Sequence, residues 1–442
     1  MRKLSWHIGI TTLLLLVICT SAFAQTVNLR MAYWGGPAEK ANMESTVNKF
    51  MEAYPNIRVE LMHIPNDFQT KMQTMIASGT EPDLAYGNTM SYSWAKADKL
   101  WNVYEFIEQD PTYDKDKLFD FAWYEWEAGK SFGGFIANGF QTIMYNKEIF
   151  DRYGVEYPPT SAENAWTWDE MVDVAKSLTI DTRGRNAHDP EFDPTRIQQY
   201  GLRFPYWWAG WLTMVRSNGG DILTEDGQAF GFTQPEAIEA LQKLADLIHV
   251  HHVTPDFSAQ LPNTAASLQS GIVAMAIDGT WSMADLATIP NFQWGVGVLP
   301  KMKELKYIIT SGTLVIAKST EHPQEAWELY KWIMDPEHAL DLHRGLWLPQ
   351  MPEWYTNPEL MEKWASPEFP GRPEGFQSAC MLVPLEHNTI SPEVYYVNFE
   401  EIVTLVSPAL EQVWLGTKTA EEVVHELEPK VTPLIGGIIV NR

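Results

Sequence analysis

Residues 271–286 read GIVAMAIDGTWSMADL, and this stretch decides how the chain is organised. Residues 272–277 form an apolar run with β-branched side chains, the composition of a strand buried on both faces. Asp278-Gly279 then turns the backbone and a helix starts from Ser282. Asp278 and Trp281 are thereby set at the carboxyl end of a strand. Ligands of open α/β sheets bind in the crevice outside the strand ends, so a carboxylate and an indole there are candidate pocket walls. The competing reading is a core tryptophan after an ordinary βα turn, and the rest of the chain decides between the two.

Upstream, residues 28–34 read as a first strand ending at the loop Gly35-Gly36-Pro37. Met43, Val47, Phe50, Met51 and Tyr54 then recur at helical spacing until Pro55 stops the helix. Residues 57–64 alternate as a second strand, a helix spans 68–79, and the short strand 82–86 delivers Asn88 to its end. This order implies a parallel sheet with helices on both faces, so Trp34 and Asn88 share one sheet edge, as Asp278 and Trp281 would. Residues 131–145, with Gly133-Gly134 and Asn138-Gly139, read as the first crossing from one lobe to another.

Capping boxes are expected at Thr167/Glu170, Thr233/Glu236 and Thr419/Glu422. Residues 206–211, YWWAGW, hold three indoles, Trp207, Trp208 and Trp211, which cannot all enter one core, so at least one faces solvent or a ligand. Further on, the strand at 308–317 is interrupted by Ser311-Gly312-Thr313, which suggests a bend or a close backbone approach. A helix covers 323–334, and the loop RGLWLP at 344–349 centres on Trp347. The loop at 181–199 carries three aspartates whose spacing fits no EF-hand, and it reads as a solvated loop.

Among the 442 residues, Arg2 and Lys3 precede an apolar run at 8–18, and Ala22-Phe23-Ala24 supplies the small residues of a cleavage site. Residues 1–24 therefore read as a secretory signal. Cys19 follows Ile18, where a lipidation site wants a small residue, so cleavage after Ala24 is expected in place of lipid anchoring. The only other cysteine is Cys380, so the exported chain forms no internal disulfide. A formal charge of −25 repels phosphate backbones and anionic lipid, which argues against nucleic acid and membrane surfaces as partners. Nineteen tryptophans exceed what packing usually uses, and the indole suits flat apolar contacts that keep a polar edge. An acidic, Trp-rich, exported chain points to carbohydrate.

The order of motifs resembles the extracellular solute-binding proteins of ABC importers, in the carbohydrate-binding group that includes maltodextrin, trehalose and glycerol-phosphate binders. The matching pieces are SGTEPDL (78–84), MYNKEIFDRYGVEYPP (144–159), TWDEMVDVAKSLT (167–179), SLQSGIVAMAIDGTW (267–281), GVGVLPK (295–301) and TEHPQEAWELYKWI (320–333). The usual Pro-Pro-Thr-Trp run is split here by residues 161–165, and the 207–211 cluster is heavier in indole than most.

The resemblance implies a two-lobe α/β periplasmic-binding-protein fold, each lobe a mainly parallel sheet flanked by helices. The crossings fall near Asn138, Gly279 and Leu314. Lobe one takes residues 25–137 and 278–312, lobe two 138–277 and 313–442. By position, Trp281 stacks on a sugar ring, Trp34 and the Asn88 loop face it from lobe one, and Trp207, Trp208, Trp211, Arg344 and Trp347 face it from lobe two. Asn138, Asp278, Gly279 and Gly312 complete the expected ligand set, and Tyr395 or Tyr396 adds an aromatic. No cofactor and no metal is called for. The partners implied are a small-molecule carbohydrate and membrane permease subunits, with the carrier a periplasmic or extracellular monomer.

Two alternatives remain open on sequence. A polyol or glycerol-phosphate ligand would want several Lys or Arg in the cleft, where only Arg344 is an obvious candidate. A secreted glycoside hydrolase would need two carboxylates about 5 to 10 Å apart, for which Asp278 and Glu386 can be named although no motif joins them.

Overall fold

The computed structural model describes residues 26–436; the expected signal segment and Cys19 lie outside them. The first strand, β1 (Val27–Tyr33), buries Leu29, Met31, Ala32 and Tyr33 completely. Pro37 opens the helix Pro37–Ala53, which lays Met43, Val47 and Phe50 on the sheet and returns the chain to β2 (Ile57–His63). The helix Phe68–Ser78 leads to β3 (Leu84–Gly87). β1 pairs in parallel with both β2 and β3, as two successive crossover connections require.

After the hairpin of β4 (Trp123–Glu127) and β5 (Lys130–Gly134), β6 (Gln141–Asn146) enters a second sheet. That sheet also holds β7 (Ile180–Asp181), β8 (Ile197–Arg203), β9 (Val273–Gly279) and β10 (Trp294–Gly297), in the order β10-β6-β9-β8-β7. The pair β8–β9 is parallel and the other three are antiparallel, so this sheet is mixed where a mainly parallel one was expected. The reason lies in the direction of travel: β9 runs toward the crossing segments, whereas β6 starts there and runs away, Gln141 pairing with Gly279. The short pair β11 (Tyr307–Ile308) and β13 (Asn388–Thr389) lies beside it. β12 (Thr313–Ile316) pairs antiparallel with β3 and closes the first sheet in the order β12-β3-β1-β2.

This pairing corrects the expected division of the chain. β9 stays in the second sheet, but β10, expected in lobe one as part of residues 278–312, joins it there by pairing with β6. β12 and the helix Pro323–Met334, expected in lobe two, join the first sheet, the helix packing on β1 and β12. Gly279 is likewise no crossing, since it stays paired inside the second sheet. The crossings are residues 135–139, residues 309–313 and the chain around Leu348, which lie side by side: Gly139 N–H donates to Thr310 O at 2.8 Å, Thr310 N–H returns the bond at 2.9 Å, and Asn138 N–H donates to Leu348 O at 2.7 Å.

Thr167/Glu170 and Thr419/Glu422 form reciprocal capping boxes. The third expected box is absent. Gln234 is the N-cap of the helix Pro235–His249, and the Thr233 hydroxyl donates to Phe230 O at 3.1 Å. In the 181–199 loop, Asp181 is fully buried and accepts from Arg183 N, Arg185 N and Arg185 Nε, so its carboxylate organises arginines and backbone.

One buried cation holds the chain after the Leu348 crossing. Arg372 is 1% exposed and donates to Trp364 O at 3.2 Å, Gly371 O at 3.1 Å, Trp347 O at 3.0 Å and to His343 O, with its guanidinium 4.4 Å from the Phe376 ring centre. Its planar fork reaches several carbonyls at once. Arg372→Met strands those carbonyls, at about 1–3 kcal/mol each where they stay buried. The expected result is a loss of at least ~3 kcal/mol in denaturant unfolding, whereas an unchanged midpoint would contradict this role.

Candidate functional site

A cleft of about 630 Å³ opens between the two sheets, lined from both lobes and floored by the crossings. On the first side Trp34 is the first residue beyond β1 and Asn88 the first beyond β3. Trp34 stands edge-on to Tyr86 (centroids 4.8 Å, 74°) and to Phe68 (5.0 Å, 85°), which fixes its plane. Asn88 Oδ1 accepts from Met90 N at 3.0 Å, a local turn that keeps the loop tight. Trp347, expected from lobe two, joins this wall instead, its ring 6.3 Å from Tyr86 and its side chain bonded to Glu39.

On the second side Trp281 follows β9 and is 38% exposed, unusual for so large a side chain. Trp207 caps the helix Trp208–Ser217, so both of its first indoles sit at the helix mouth. Trp207 meets Trp281 edge-on (5.9 Å, 67°) and Trp208 in the same manner (5.3 Å, 75°), while Trp208 leans on Phe399. The floor is Asn138, Gly139, Thr310 and Gly312. Two of these leave the rings close room: a Cβ on Gly139 would stand 3.0 Å from the Trp281 ring and one on Gly312 3.0 Å from the Trp34 ring, so either would press its indole outward.

Eight of the residues singled out from sequence therefore line one cleft: Trp34, Asn88, Asn138, Trp207, Trp208, Trp281, Gly312 and Trp347. Four do not. Trp211 is one helical turn deeper than Trp207, fully buried against Phe232. Asp278 turns back into its own lobe, accepting from Ser282 Oγ at 2.8 Å, from Gly279 N at 2.7 Å and from Thr264 Oγ1. Gly279 lies beneath the Trp281 ring, where any Cβ would collide with it at 2.1 Å. Arg344 is exposed and turned away, its Nε donating to Lys363 O at 3.0 Å and its guanidinium lying over Phe369. Tyr395 and Tyr396 are both buried, bonded to Arg216 and to Leu434 O, and neither lines the cleft.

The sequence reading missed the carboxylates. Glu39, Asp285, Glu393 and Glu400 line the cleft, and no Lys, Arg or His does so among the described residues. Glu39 accepts from the Tyr86 hydroxyl at 3.0 Å and from the Trp347 side chain; desolvation nevertheless pushes its pKa up to about 7. Glu393 is 4% exposed, and burial raises it to about 8 against the pull of the Ser391 and Tyr124 hydroxyls. Burial also raises Asp285. Glu393 and Glu400 sit on a strap that ties the C-terminal helices to the first lobe: the Tyr92 hydroxyl donates to Glu393 O, and Thr89 Oγ1 to Glu400.

The chain matches the family described as bacterial extracellular solute-binding protein over residues 31–339. A putative binding protein of Brucella abortus is 22% identical over 97% of this chain and 98% of its own. The sn-glycerol-3-phosphate-binding periplasmic protein of Pectobacterium atrosepticum is 23% identical over 63% of this chain and 61% of its own. Among solved structures, an ABC substrate-binding protein of Listeria monocytogenes in complex with cycloalternan superposes with a TM-score of 0.78 at 23% identity, covering 92% of this chain and 99% of that one. The two-lobe α/β architecture expected from sequence is the one these coordinates share.

The buried carboxyls make stability depend on pH. Glu393 favours its protonated form in the fold, so its contribution is complete below the ordinary carboxyl range near 4.5 and is lost as pH rises through about 8. Glu39 acts in the same direction up to about 7. Across that window each group removes at most about 1.4 kcal/mol per pH unit. The empty protein is expected to melt at lower temperature at pH 9 than at pH 5, and Glu393→Gln to flatten that slope. A slope identical in the variant would remove Glu393 as its cause.

Proposed function

The chain is a member of the bacterial extracellular solute-binding protein family, and from that premise we propose that it is the substrate-binding component of an ABC importer that captures a sugar between its two lobes. The observation that carries this reading is the set of indoles lining one gap from its two sides: Trp34 and Trp347 on one, Trp207, Trp208 and Trp281 on the other. A pyranose presents two faces of C–H groups and a belt of hydroxyls. Flat aromatics cover the faces while Asn88, Asn138 and the carboxylates bond the rim. Covering roughly 50 Å² of C–H surface contributes about 1.2 kcal/mol per indole, and hydrogen bonds to charged groups about 1.5–3 kcal/mol each. A micromolar complex needs about 8 kcal/mol net of ordering costs, so two or three rings with a few such bonds suffice.

A ligand that touches both lobes stabilises the closed arrangement by its differential affinity, and a membrane permease recognises that form. The carrier is read as a periplasmic or extracellular monomer that breaks no bond. Both members of the carboxylate pair named for a hydrolase, Asp278 and Glu386, stand outside the cleft. The Listeria neighbour, crystallised with a cyclic saccharide, supports a sugar. The relative named for glycerol phosphate raises the other ligand class, but an anion would enter a cleft lined by four carboxylates and, among the described residues, no cation.

A thermal-shift screen of mono-, di- and trisaccharides identifies the ligand, and Trp281→Ala then tests the site. The variant is expected to bind at least tenfold more weakly, with the melting temperature of the empty protein nearly unchanged. If it unfolds while the folded fraction keeps full affinity, Trp281 is a core residue and this reading is wrong.

A further inference from the structure

The polar lining of the cleft is lopsided in a way that a neutral sugar does not require. Both lobes contribute carboxylates, Glu39 from the helix Pro37–Ala53 and Asp285 from the helix Met283–Ala287, with Glu393 and Glu400 from the strap. Elsewhere two enclosed carboxylates have basic partners, the half-buried Asp110 with Lys331 at 2.7 Å and the buried Asp181 with Arg185 at 3.2 Å. In the cleft, three of the four have only hydroxyl or indole donors, and the Asp285 carboxylate has no hydrogen-bond donor among the described residues.

A second, independent acceptor is left open at the floor. Asn138 is 2% exposed and lines the cleft. Its Nδ2 donates to Pro349 O at 2.8 Å and Tyr355 OH at 3.3 Å, while its Oδ1 has no partner. An enclosed amide oxygen without a donor is costly and awaits one. Asp285 lies beside the mouth of the opposite lobe, its Oδ1 3.6 Å from where a Cβ on Gly36 would stand, so a group bound to it is held between the lobes. Five indoles line the same cleft as these carboxylates, and aromatic rings together with carboxylates are what an organic ammonium seeks.

We propose, resting on the sugar-carrier reading above, that the sugar held here carries a protonated amine, which Asp285 and the neighbouring carboxylates select over hydroxyl, acetamido or phosphate at the same position. The ammonium supplies three donors to an acceptor-rich wall and pairs with the Asp285 carboxylate, which has no cationic partner in the cleft among the described residues. A phosphate adds charge of the wrong sign.

The test uses the exported protein and matched probes by titration calorimetry at pH 6, where the amine is protonated. The probes are glucosamine, N-acetylglucosamine, glucose and glucose 6-phosphate, then the β-1,4 disaccharides of glucosamine, N-acetylglucosamine and glucose. The amine is expected to bind at least tenfold more tightly than its acetylated and hydroxyl counterparts and to weaken severalfold between 50 and 500 mM NaCl, with the phosphate ester silent. Asp285→Asn is expected to lower amine affinity at least fivefold more than neutral-sugar affinity, removing most of the preference, and to keep the melting temperature. Neutral probes that bind as well as the amine, or an amine preference unchanged by both salt and Asp285→Asn, overturn the proposal and leave the sugar carrier standing. Failure of every probe to bind overturns the amine proposal, and the sugar-carrier reading falls with it only if the saccharide screen above also finds no ligand.

Discussion

Two lobes can close on a ligand only if the chain between them bends without tearing its hydrogen bonds, and here that constraint is met by three backbone segments laid side by side. Residues 135–139, residues 309–313 and Leu348 exchange main-chain bonds at 2.7–3.2 Å, so each crossing supports the others. Because the ladder is short and carries Gly139 and Gly312, large rings can rest directly on it. Trp281, from the second lobe, lies over Gly139, and Trp34, from the first, lies over Gly312. Each lobe thus sets its principal indole on the hinge itself, and a rotation of one lobe alters the spacing of the plates.

The charge of the site follows from the same economy of space. Glu39, Asp285, Glu393 and Glu400 come from four different segments, and the lobes meet with no basic side chain among the described residues to separate them. Tyr86, Tyr124, Thr89 and the Trp347 indole donate to three of them, which keeps them oriented. Arg372 is spent outside the cleft, bonding carbonyls of the loop that presents Trp347. The cleft is therefore rigid in its aromatic parts and poised electrostatically for donors.

The fold was legible where strand and helix periods were unbroken. β1, β2 and β9 stand where alternation and apolar runs put them, and residues just beyond strand ends, Trp34, Asn88 and Trp281, fall in the cleft for the topological reason that predicted them. Lobe membership was not legible, because a strand's composition does not say which sheet it pairs with; β10 and β12 are both short apolar runs, and they went to opposite sheets. Trp211 misled because three indoles in five residues look alike until the helix starts, one turn carrying the last into the core. Glu39, Asp285 and Glu393 were invisible for the opposite reason. Acidic residues in first helical turns are ordinary surface features, and only tertiary packing turns these three into a cleft.

Hydrogen–deuterium exchange of the intact protein, with and without the saccharide that shifts its melting temperature most, tests the central claim directly. The account predicts added protection in two distant parts of the chain at once, residues 34–39 and 86–89 on one lobe and residues 207–211 and 280–285 on the other, together with the crossings. Protection confined to one lobe, or falling wholly outside these segments, would contradict a ligand held between opposed indoles.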